Sequence, residues 1–514
     1  MKPFRKILIA AGIVLGVAVL VPVIRHYQLR FAVDSYVAQL KAKGEPMDMA
    51  QVIPPPVPPE QNGVPFINGA LGNLGWKGLI GTNPPQAMRA ILPGKAIVGW
   101  QQPNLIGQPV YEGFTGTNTW TDLGRELVAA KNDLDSFQNL ATHPVLDFNL
   151  DYQNLRLPHL GWLKRSAQWL SAAALYELHQ GNPKSACADV RAMLAIGKGE
   201  TDERILISQL VRIAIAAIGV SATWEILQNP DVTDDDLAQL QQAWQSLKFI
   251  APVEPAMLFE RFKMLQTFTE NRASTEKFNK MWGYCYAPDA PVALDLDQIG
   301  GSIRRSLSLR KWDELRWRWF WSYQDELFGL KSVQVVIDAD RMAETNTSFQ
   351  IVQSFIDSNL TPLYAKRKSV NSMNGLRFAG SAAAFSNSLR KAKIIETARN
   401  IVVTAIALKR YELLHHQFPT TLEELTPELL KAVPIDCMDG QPLRYRRNAD
   451  GTFLLYSVGE NGVDDGGDPS LEKGVTGSNH YWQNDHALDW VWPQPATPAE
   501  IQKYYEEQAK KSQN

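Results

Sequence analysis

A run of apolar residues at the N-terminus is the first pattern that predicts a structure. Residues 7–24 form eighteen consecutive positions without a charged side chain. A helix of that length rises about 27 Å, enough to cross the hydrocarbon core of a bilayer. Lys2, Arg5 and Lys6 precede the run, and basic residues beside an apolar segment favour a cytoplasmic N-terminus. The pattern predicts a single-pass anchor in a bacterial inner membrane, with the bulk of the chain in the periplasm.

Two alternatives to an anchor exist for residues 7–24, a cleaved signal peptide and a buried helix. Cleavage of a signal peptide needs small residues after the apolar segment, whereas this segment ends in Val21-Pro22-Val23-Ile24. The apolar run is also longer than the core of a usual signal peptide. An uncleaved signal-anchor, which contacts the inner membrane through residues 7–24, therefore accounts best for the pattern.

The pattern after residue 24 divides the chain into further parts. Apolar positions continue at helical spacing to about residue 43, where Gly44-Glu45-Pro46 ends the predicted helix. The next segment is rich in proline and glycine, and Pro54-Pro55-Pro56 within it predicts a stiff, extended spacer. The predicted parts are the anchor and its continuation at 1–44, a linker and irregular region at 45–120, a helical body at 121–390, an α+β module at 391–495 and a polar tail at 496–514.

Helical periodicity begins at about residue 121 and predicts a multi-helix body. Gly181 breaks the first clear helix, and Asn182-Pro183 supplies the N-cap and first-position residues of the next one. The positions predicted to face the core on these two helices are Leu160, Leu163, Ala167, Leu170, Ala174, Leu178, Ala186, Val190 and Met193. The predicted fold class is therefore mainly α.

Residues 205–227 form a second apolar stretch, which could be taken for another membrane span. Gln209, Arg212 and Glu225 lie within this stretch, and charged side chains are costly inside a bilayer. The sequence therefore predicts a buried core helix here rather than a second span.

Composition and charge bear on partners and chemistry. The 514 residues carry a formal net charge of −2 without a long basic run, which argues against nucleic-acid binding because that needs a basic face. Cys187, Cys285 and Cys437 lack C-x-x-C spacing and predict neither a disulfide framework nor a zinc site. One pair could form a disulfide in an oxidising compartment, but the spacing does not select it. No hydrolase, phosphate-loop or dinucleotide motif occurs in the sequence, so no catalytic residue is predicted.

Cationic and aromatic side chains alternate between residues 304 and 321. This Trp/Arg-rich region contains Arg304, Arg305, Arg310, Lys311, Trp312, Arg316, Trp317, Arg318, Trp319, Phe320 and Trp321. The mixture is typical of aromatic packing between helices, with arginines over the ring faces. It would also suit a membrane interface, where indoles lie at headgroup depth, or a glycan-binding groove.

The most specific pattern lies between residues 391 and 492. A long helix is followed by Phe418-Pro419-Thr420, then Pro434-Ile435-Asp436, then a turn and strand up to Tyr445, and then a hairpin loop at 448–451. This order of motifs resembles the C-terminal domain of the major pseudopilin of type II secretion systems. The resemblance covers about a fifth of the chain and implies a small α+β module with antiparallel strands.

The resemblance also implies a calcium site, because the corresponding glycine- and aspartate-rich loop of pseudopilins binds this ion. Asn461, Asp464, Asp465 and Asp468 lie within eight residues, and Asp489 is the later acidic residue that would close the site. Carboxylate and amide oxygens are the ligands that calcium prefers. Asn461 departs from the family pattern, which has aspartate there, and an acidic turn that holds no ion is the alternative.

The anchor separates this chain from the pseudopilins themselves. Residues 7–24 contain no acidic residue and no processing motif, so a polymerising pilin subunit is not predicted. The leading hypothesis is a membrane-anchored envelope protein, without evident catalysis, that presents the pseudopilin-like module for contact with a protein partner. The alternative is an envelope hydrolase or a glycan-binding protein that uses the Trp/Arg-rich region or residues 60–118.

Overall fold

The structure is a computed structural model, and helices dominate it. Helix accounts for 64% of the residues that the structure describes, and the predicted mainly α fold class is confirmed. The residues that the structure describes are 2–75, 78–82, 84–105, 119–285, 314–345, 348–368, 379–473, 475 and 486–511.

The described α-helices range from a single turn to 41 residues. In chain order they are α1 Lys2–Ala42, α2 Met49–Val52, α3 Val64–Asn73, α4 Gly78–Thr82, α5 Trp120–Ala129, α6 Lys131–Ser136, α7 Pro158–His179, α8 Pro183–Gly199, α9 Leu206–Leu227, α10 Asp234–Gln245, α11 Val253–Ala273, α12 Thr275–Cys285, α13 Ser322–Thr345, α14 Phe349–Lys368, α15 Ala379–His415 and α16 Pro498–Lys511. Short 3₁₀ turns lie at Pro59–Gln61, Phe137–Ala141 and Leu422–Leu425, and a π-helical turn lies at Trp317–Trp321.

The described strands form two three-stranded sheets. They are β1 Arg89–Leu92, β2 Lys95–Ile97, β3 Arg444–Arg447, β4 Phe453–Ser457, β5 Trp490–Val491 and β6 Gln494–Pro495. In one sheet β1 pairs antiparallel with β2, and β6 lies parallel to β2. In the other sheet β3, β4 and β5 are antiparallel in that order. The predicted antiparallel strands near the C-terminus are therefore confirmed.

The chain divides into two compact units, each built from separate stretches of sequence. Unit 1 contains Met1–Ile53, Met257–Ala339 and Ser354–Asn387. Unit 2 contains Pro54–Ala256, Asp340–Gln353 and Ser388–Asn514.

In unit 1, the first helix is continuous from Lys2 to Ala42 and ends where the sequence predicts. Gly44 has a φ of +82°, a left-handed conformation that glycine adopts without a steric cost. The buried guanidinium of Arg261 fixes the chain just after this turn, because it donates 2.9 Å to Glu45 Oε2 and 2.8 Å to the carbonyl of Pro46.

In unit 2, α7, α8 and α9 form the centre of a hydrophobic core. The positions of α7 and α8 that were predicted to face inward are all buried. Helix α8 begins at Pro183 with Asn182 at the N-cap, as predicted, but the Asn182 amide donates 3.0 Å to Glu177 Oε2 and does not cap the helix. Cys187 and Cys437 are buried as free thiols.

Helix α9 is long and apolar enough, by length and composition, to cross a membrane. Its polar side chains Gln209, Arg212 and Glu225 are buried among hydrogen-bond partners. The packing indicates a core helix of unit 2, as the sequence predicts.

The described part of the region predicted to be irregular, 45–120, contains helices α2, α3 and α4 and strands β1 and β2. Helix α3 begins with Val64-Pro65, since proline suits the first helical turn, where its missing amide hydrogen is not needed. Ile67, Ala70 and Leu71 are buried on this helix, which gives it tertiary support that the proline and glycine content concealed.

The described part of the predicted polar tail at 496–514 contains helix α16. Thr497 and Glu500 start the helix, since the Thr497 amide donates 2.7 Å to Glu500 Oε2. Ile501 and Tyr504 then pack against Ile91 and Ile97 of β1 and β2. Two apolar side chains one turn apart suffice to dock a helix whose remaining surface is charged.

Glu225 links the apolar helix α9 to the β1–β2 hairpin. Its Oε1 accepts hydrogen bonds from the backbone N–H groups of Met88 at 2.7 Å and Gly99 at 2.9 Å, and its Oε2 lies 3.0 Å from the same Gly99 nitrogen. The side chain is fully buried. Burial raises the pKa of Glu225 to about 7, although these amide hydrogen bonds favour the ionised form.

Replacing Glu225 with alanine should destabilise unit 2 by ~2–4 kcal/mol, because the buried N–H groups of Met88 and Gly99 lose their acceptor. The free energy of unfolding can be measured by urea titration with tryptophan fluorescence. Ile207→Ala at an exposed position of the same helix should change it by less than ~0.5 kcal/mol.

The same carboxyl predicts a pH dependence. The pKa of Glu225 is higher in the folded state than in the unfolded chain. The contribution of its protonated form to the free energy of unfolding is therefore fully present below pH ~4.5 and is lost as the pH rises through about 7. Glu225→Gln should remove this part of the pH dependence of the free energy of unfolding. An unchanged pH dependence in the variant would show that the Glu225 carboxyl is not the titrating group.

Candidate functional site

Three ionisable side chains from separate elements of unit 2 converge in its interior. His159 is the second residue of α7, Glu200 directly follows the end of α8, and Glu203 lies in the turn before α9. Their ligand-type atoms all lie within 4.8 Å of one another, and all three residues are buried. We call His159, Glu200 and Glu203 the His–Glu–Glu cluster.

His159 and Glu203 are in direct contact within this cluster. The Nε2 of His159 lies 3.1 Å from Glu203 Oε2 and 3.2 Å from Oε1. The Ser208 hydroxyl, in the first turn of α9, also donates to Glu203 Oε1. The imidazole ring stacks on Phe148 with 4.3 Å between the ring centroids. These contacts hold the imidazole and one carboxylate in place.

Glu200 is the unusual member of the cluster. Its side chain is 0% exposed, and among the described residues the neighbouring Glu203 carboxyl is the one group that could share a proton with its carboxylate oxygens, which have no other hydrogen-bond partner. The nearby Arg212 directs its donors to the carbonyls of Gly197 and Lys248 and to Gln209 Oε1. Burial, and after it the Glu203 carboxylate, raises the pKa of Glu200 well above its ordinary value. A buried carboxylate without a partner is costly and therefore calls for a cation or a proton.

A cleft with a volume of about 610 Å³ lies beside the cluster. Its lining residues are Phe148, Asn149, Leu150, Asp151, Asn154, Arg156, Pro158, His159 and Trp162. His159 is the residue shared by the cleft and the cluster, because Glu200 and Glu203 are outside this described lining. Trp162 is 41% exposed, so the cleft offers an aromatic face beside polar groups.

The predicted calcium loop has a different arrangement from a cage of carboxylates. Asp489 accepts backbone hydrogen bonds from Gly467 at 2.7 Å, Asp468 at 3.2 Å and Asp465 at 3.5 Å. Burial raises the pKa of Asp489, while these amide groups act in the opposite direction. The later acidic residue therefore does close the loop, through backbone amides.

The other predicted calcium ligands point to separate partners. Asp464 accepts hydrogen bonds from the Tyr456 hydroxyl at 2.9 Å and from Arg444 Nε at 3.3 Å. Asn461 donates 3.2 Å to Asp465, and Asp468 Oδ1 accepts the amide of Ser470 at 2.9 Å. In this arrangement Arg444 supplies the positive charge that calcium would provide, so the donor set does not fit the ion without rearrangement. Calcium binding at this loop stays a prediction.

The motifs that precede the loop have structural roles. The fully buried Asp436 carboxylate accepts hydrogen bonds from the Ser457 hydroxyl and from the amides of Met438 and Val458 at 2.8–2.9 Å. Burial raises its pKa to about 6. The bonds join the turn before β3 to the end of β4. The hairpin predicted at 448–451 is present, with Gly451 at a φ of +84°.

The Trp/Arg-rich region is described from residue 314 onward, so its predicted members 304–312 lie outside the described residues. Trp317 is buried and donates 3.1 Å to Asp325 Oδ2, with its ring 5.3 Å from that of Phe278. This tryptophan fits aromatic packing between helices. Trp319 and Phe320 are 47% and 38% exposed, so these two side chains do not fit aromatic packing between helices.

Sequence patterns did not identify the His–Glu–Glu cluster. Glu200 and Glu203 have the spacing E-x-x-E, and His159 lies about forty residues earlier behind Pro158. No known ligand motif has these positions. The turn between α8 and α9 reads Glu200-Thr201-Asp202-Glu203-Arg204-Ile205. Such a charged turn normally lies in solvent, so the sequence carries no signal that Glu200 and Glu203 are buried.

Comparison with known proteins gives no further identification. No protein-family model, curated protein or solved structure matches the chain. Its function is therefore inferred from the geometry of its own residues.

The resemblance to pseudopilins predicts that chelation of calcium with EGTA lowers the melting temperature of the full chain. Differential scanning fluorimetry with 1 mM calcium or EGTA measures this effect, since a bound ion stabilises the folded state. Asp464→Asn should abolish the difference, whereas Asp450→Asn in the hairpin should preserve it. Equal melting temperatures with and without calcium would show that the loop does not bind the ion.

Proposed function

We propose that this protein is a single-pass envelope protein whose N-terminal helix holds it in the inner membrane and whose C-terminal module contacts a protein partner. Its N-terminus lies in the cytoplasm and its bulk in the periplasm. The observation that carries the proposal is the continuous helix Lys2–Ala42, in which the uncharged residues 7–24 make up a full membrane-spanning length.

Exposed apolar side chains at the end of the uncharged run support membrane contact. Leu20, Val21, Ile24, Tyr27 and Phe31 are all exposed on this helix. Isolated apolar residues are common on protein surfaces, but five within twelve positions of one helix form a patch. The acyl chains and headgroup layer of a bilayer would cover that patch.

Aromatic residues of unit 1 lie beside the same part of the helix. The Trp319 ring centroid is 4.8 Å from that of His26, and Arg25 Nη2 donates 2.9 Å to Gln324 Oε1. His26 is two residues beyond Ile24, about 3 Å along a helix axis. Exposed tryptophan and phenylalanine beside arginine are typical of the headgroup layer. This placement supports the membrane-interface interpretation of Trp319 and Phe320.

The pseudopilin-like module supports the second half of the proposal through its sheet. Strand β3 is at the edge of the described sheet β3–β4–β5, where its outer backbone groups can meet another chain. Arg446 and Arg447 are exposed at the end of this strand, and Val463 is 56% exposed in the following loop. A partner with an acidic surface and an extended segment would complement this edge.

A second candidate function, an envelope hydrolase or a glycan-binding protein, is favoured by one observation. The cleft beside the His–Glu–Glu cluster combines the aromatic faces of Phe148 and Trp162 with polar groups. Two carboxylates converge behind His159. This location differs from the Trp/Arg-rich region and from residues 60–118, where the sequence placed the alternative.

The anchor predicts the location of a reporter fused after residue 53. Alkaline phosphatase at this position should be active, because the apolar helix directs the export of the chain on its C-terminal side, and the protein should stay in the membrane pellet after alkaline carbonate extraction. Deletion of residues 2–24 should make the reporter inactive and the protein extractable. An inactive reporter on the full-length anchor would overturn the proposed topology.

The proposed partner contact predicts the effect of charge reversal on β3. Protein captured with the full chain from detergent-solubilised membranes should be lost with the double variant R446E/R447E, since the basic edge would then repel an acidic partner. Asp235→Lys at an exposed position of α10 is the matched control and should retain the captured protein. Equal capture by the β3 variant would exclude this strand as the contact.

A further inference from the structure

We infer that His159, Glu200 and Glu203 bind a divalent transition-metal ion of the Zn²⁺ or Mn²⁺ class in the interior of unit 2. The inference is independent of the membrane role. It rests on the convergence of one imidazole and two carboxylates within 4.8 Å and on the fully buried carboxylate of Glu200, which among the described residues has no hydrogen-bond partner besides the neighbouring Glu203 carboxyl.

The donor set selects the class of ion. An imidazole nitrogen suits Zn²⁺ and other transition metals, and carboxylate oxygens suit both Zn²⁺ and Mn²⁺. Calcium and magnesium prefer oxygen ligands alone. Ligands at about 2.0–2.2 Å from a tetrahedral ion are ~3.5 Å apart. The His159–Glu203 pair already has such a spacing at 3.1 Å, so small rotations of the carboxylates complete the set.

The charge of the buried Arg212 acts on the Glu200 carboxylate, but Arg212 donates no hydrogen bond to it. Arg212 is the nearby buried cation, and its described hydrogen bonds go to Gly197, Gln209 and Lys248. Ser208 donates to Glu203 and orients it, as residues behind metal ligands commonly do. Glu200 has no such donor among the described residues. A divalent ion would satisfy both carboxylates at once.

A cleft adjoins the cluster at His159. His159 lies in the lining of the 610 Å³ cleft and also in the cluster. Three protein ligands leave a Zn²⁺ ion at least one further position, which water or a substrate group takes in catalytic sites. The cluster is therefore the place where the second candidate function would have its chemistry.

Metal titration of the full-length protein in detergent tests the inference. The protein is stripped with EDTA, freed of the chelator and titrated with Zn²⁺ or Mn²⁺ by calorimetry, while mass spectrometry measures the metal content before stripping. We expect one equivalent to bind at the cluster. Glu200→Gln and Glu203→Gln should each weaken metal binding by ~100-fold or more, since even substitution of residues behind the ligands lowers metal affinity by ~10–100-fold.

Asp202→Asn is the matched control, because Asp202 is exposed in the same turn and should leave the affinity unchanged. Ser208→Ala keeps all three ligands and should weaken metal binding by ~10-fold. This variant tests the site if a glutamine variant fails to fold. Circular dichroism of the stripped variants establishes folding.

Two results would overturn the inference. In the first, the stripped wild-type protein takes up neither ion, and the Glu200→Gln variant melts at a higher temperature than the wild type. This result would identify Glu200 as a buried neutral acid. The other is an equivalent of Zn²⁺ or Mn²⁺ that binds the Glu200→Gln and Glu203→Gln variants as tightly as the wild type, which would place the ion elsewhere.

Discussion

Unit 2 depends most on the hydrogen bonds that the buried carboxylate of Glu225 accepts from two backbone N–H groups. An apolar helix such as Leu206–Leu227 tolerates a carboxylate only where hydrogen bonds replace the lost water. The β1–β2 hairpin supplies these bonds through Met88 and Gly99. The same bonds help to fix the position of the proline- and glycine-rich segment, which also buries apolar side chains such as Ile67, Leu71 and Ile80. One charged group thus identifies α9 as a core helix and orders a distant stretch of sequence.

The elements that could be predicted from the sequence are those whose pattern is local. The inward positions of α7 and α8 follow from helical periodicity, and the end of α1 follows from Gly44. Helices α3 and α16 could not be predicted in this way, since each depends on a few apolar residues that meet a distant partner. Ile501, for example, has its partners at Ile91 and Ile97, about four hundred residues away, and no local pattern reveals such a contact.

The candidate sites show the same division. In the C-terminal loop Asp489 accepts backbone hydrogen bonds, and Arg444 beside Asp464 was not expected from the sequence as the compensating charge. The His–Glu–Glu cluster could not be predicted because its members come from three elements. The packing of α7, α8 and α9 brings them together, a tertiary event that spacing along the chain does not encode.

The length of α1 has a mechanical consequence. Eighteen residues of helix, about 27 Å, continue from Ile24 to Ala42 without a break, so this part behaves as a stiff rod. Pro22 lies just before it and has no amide hydrogen for the carbonyl of Ala18. Bending therefore costs least at that residue, where the uncharged run ends. A bend at Pro22 would therefore turn the uncharged run relative to the residues that follow it in the helix.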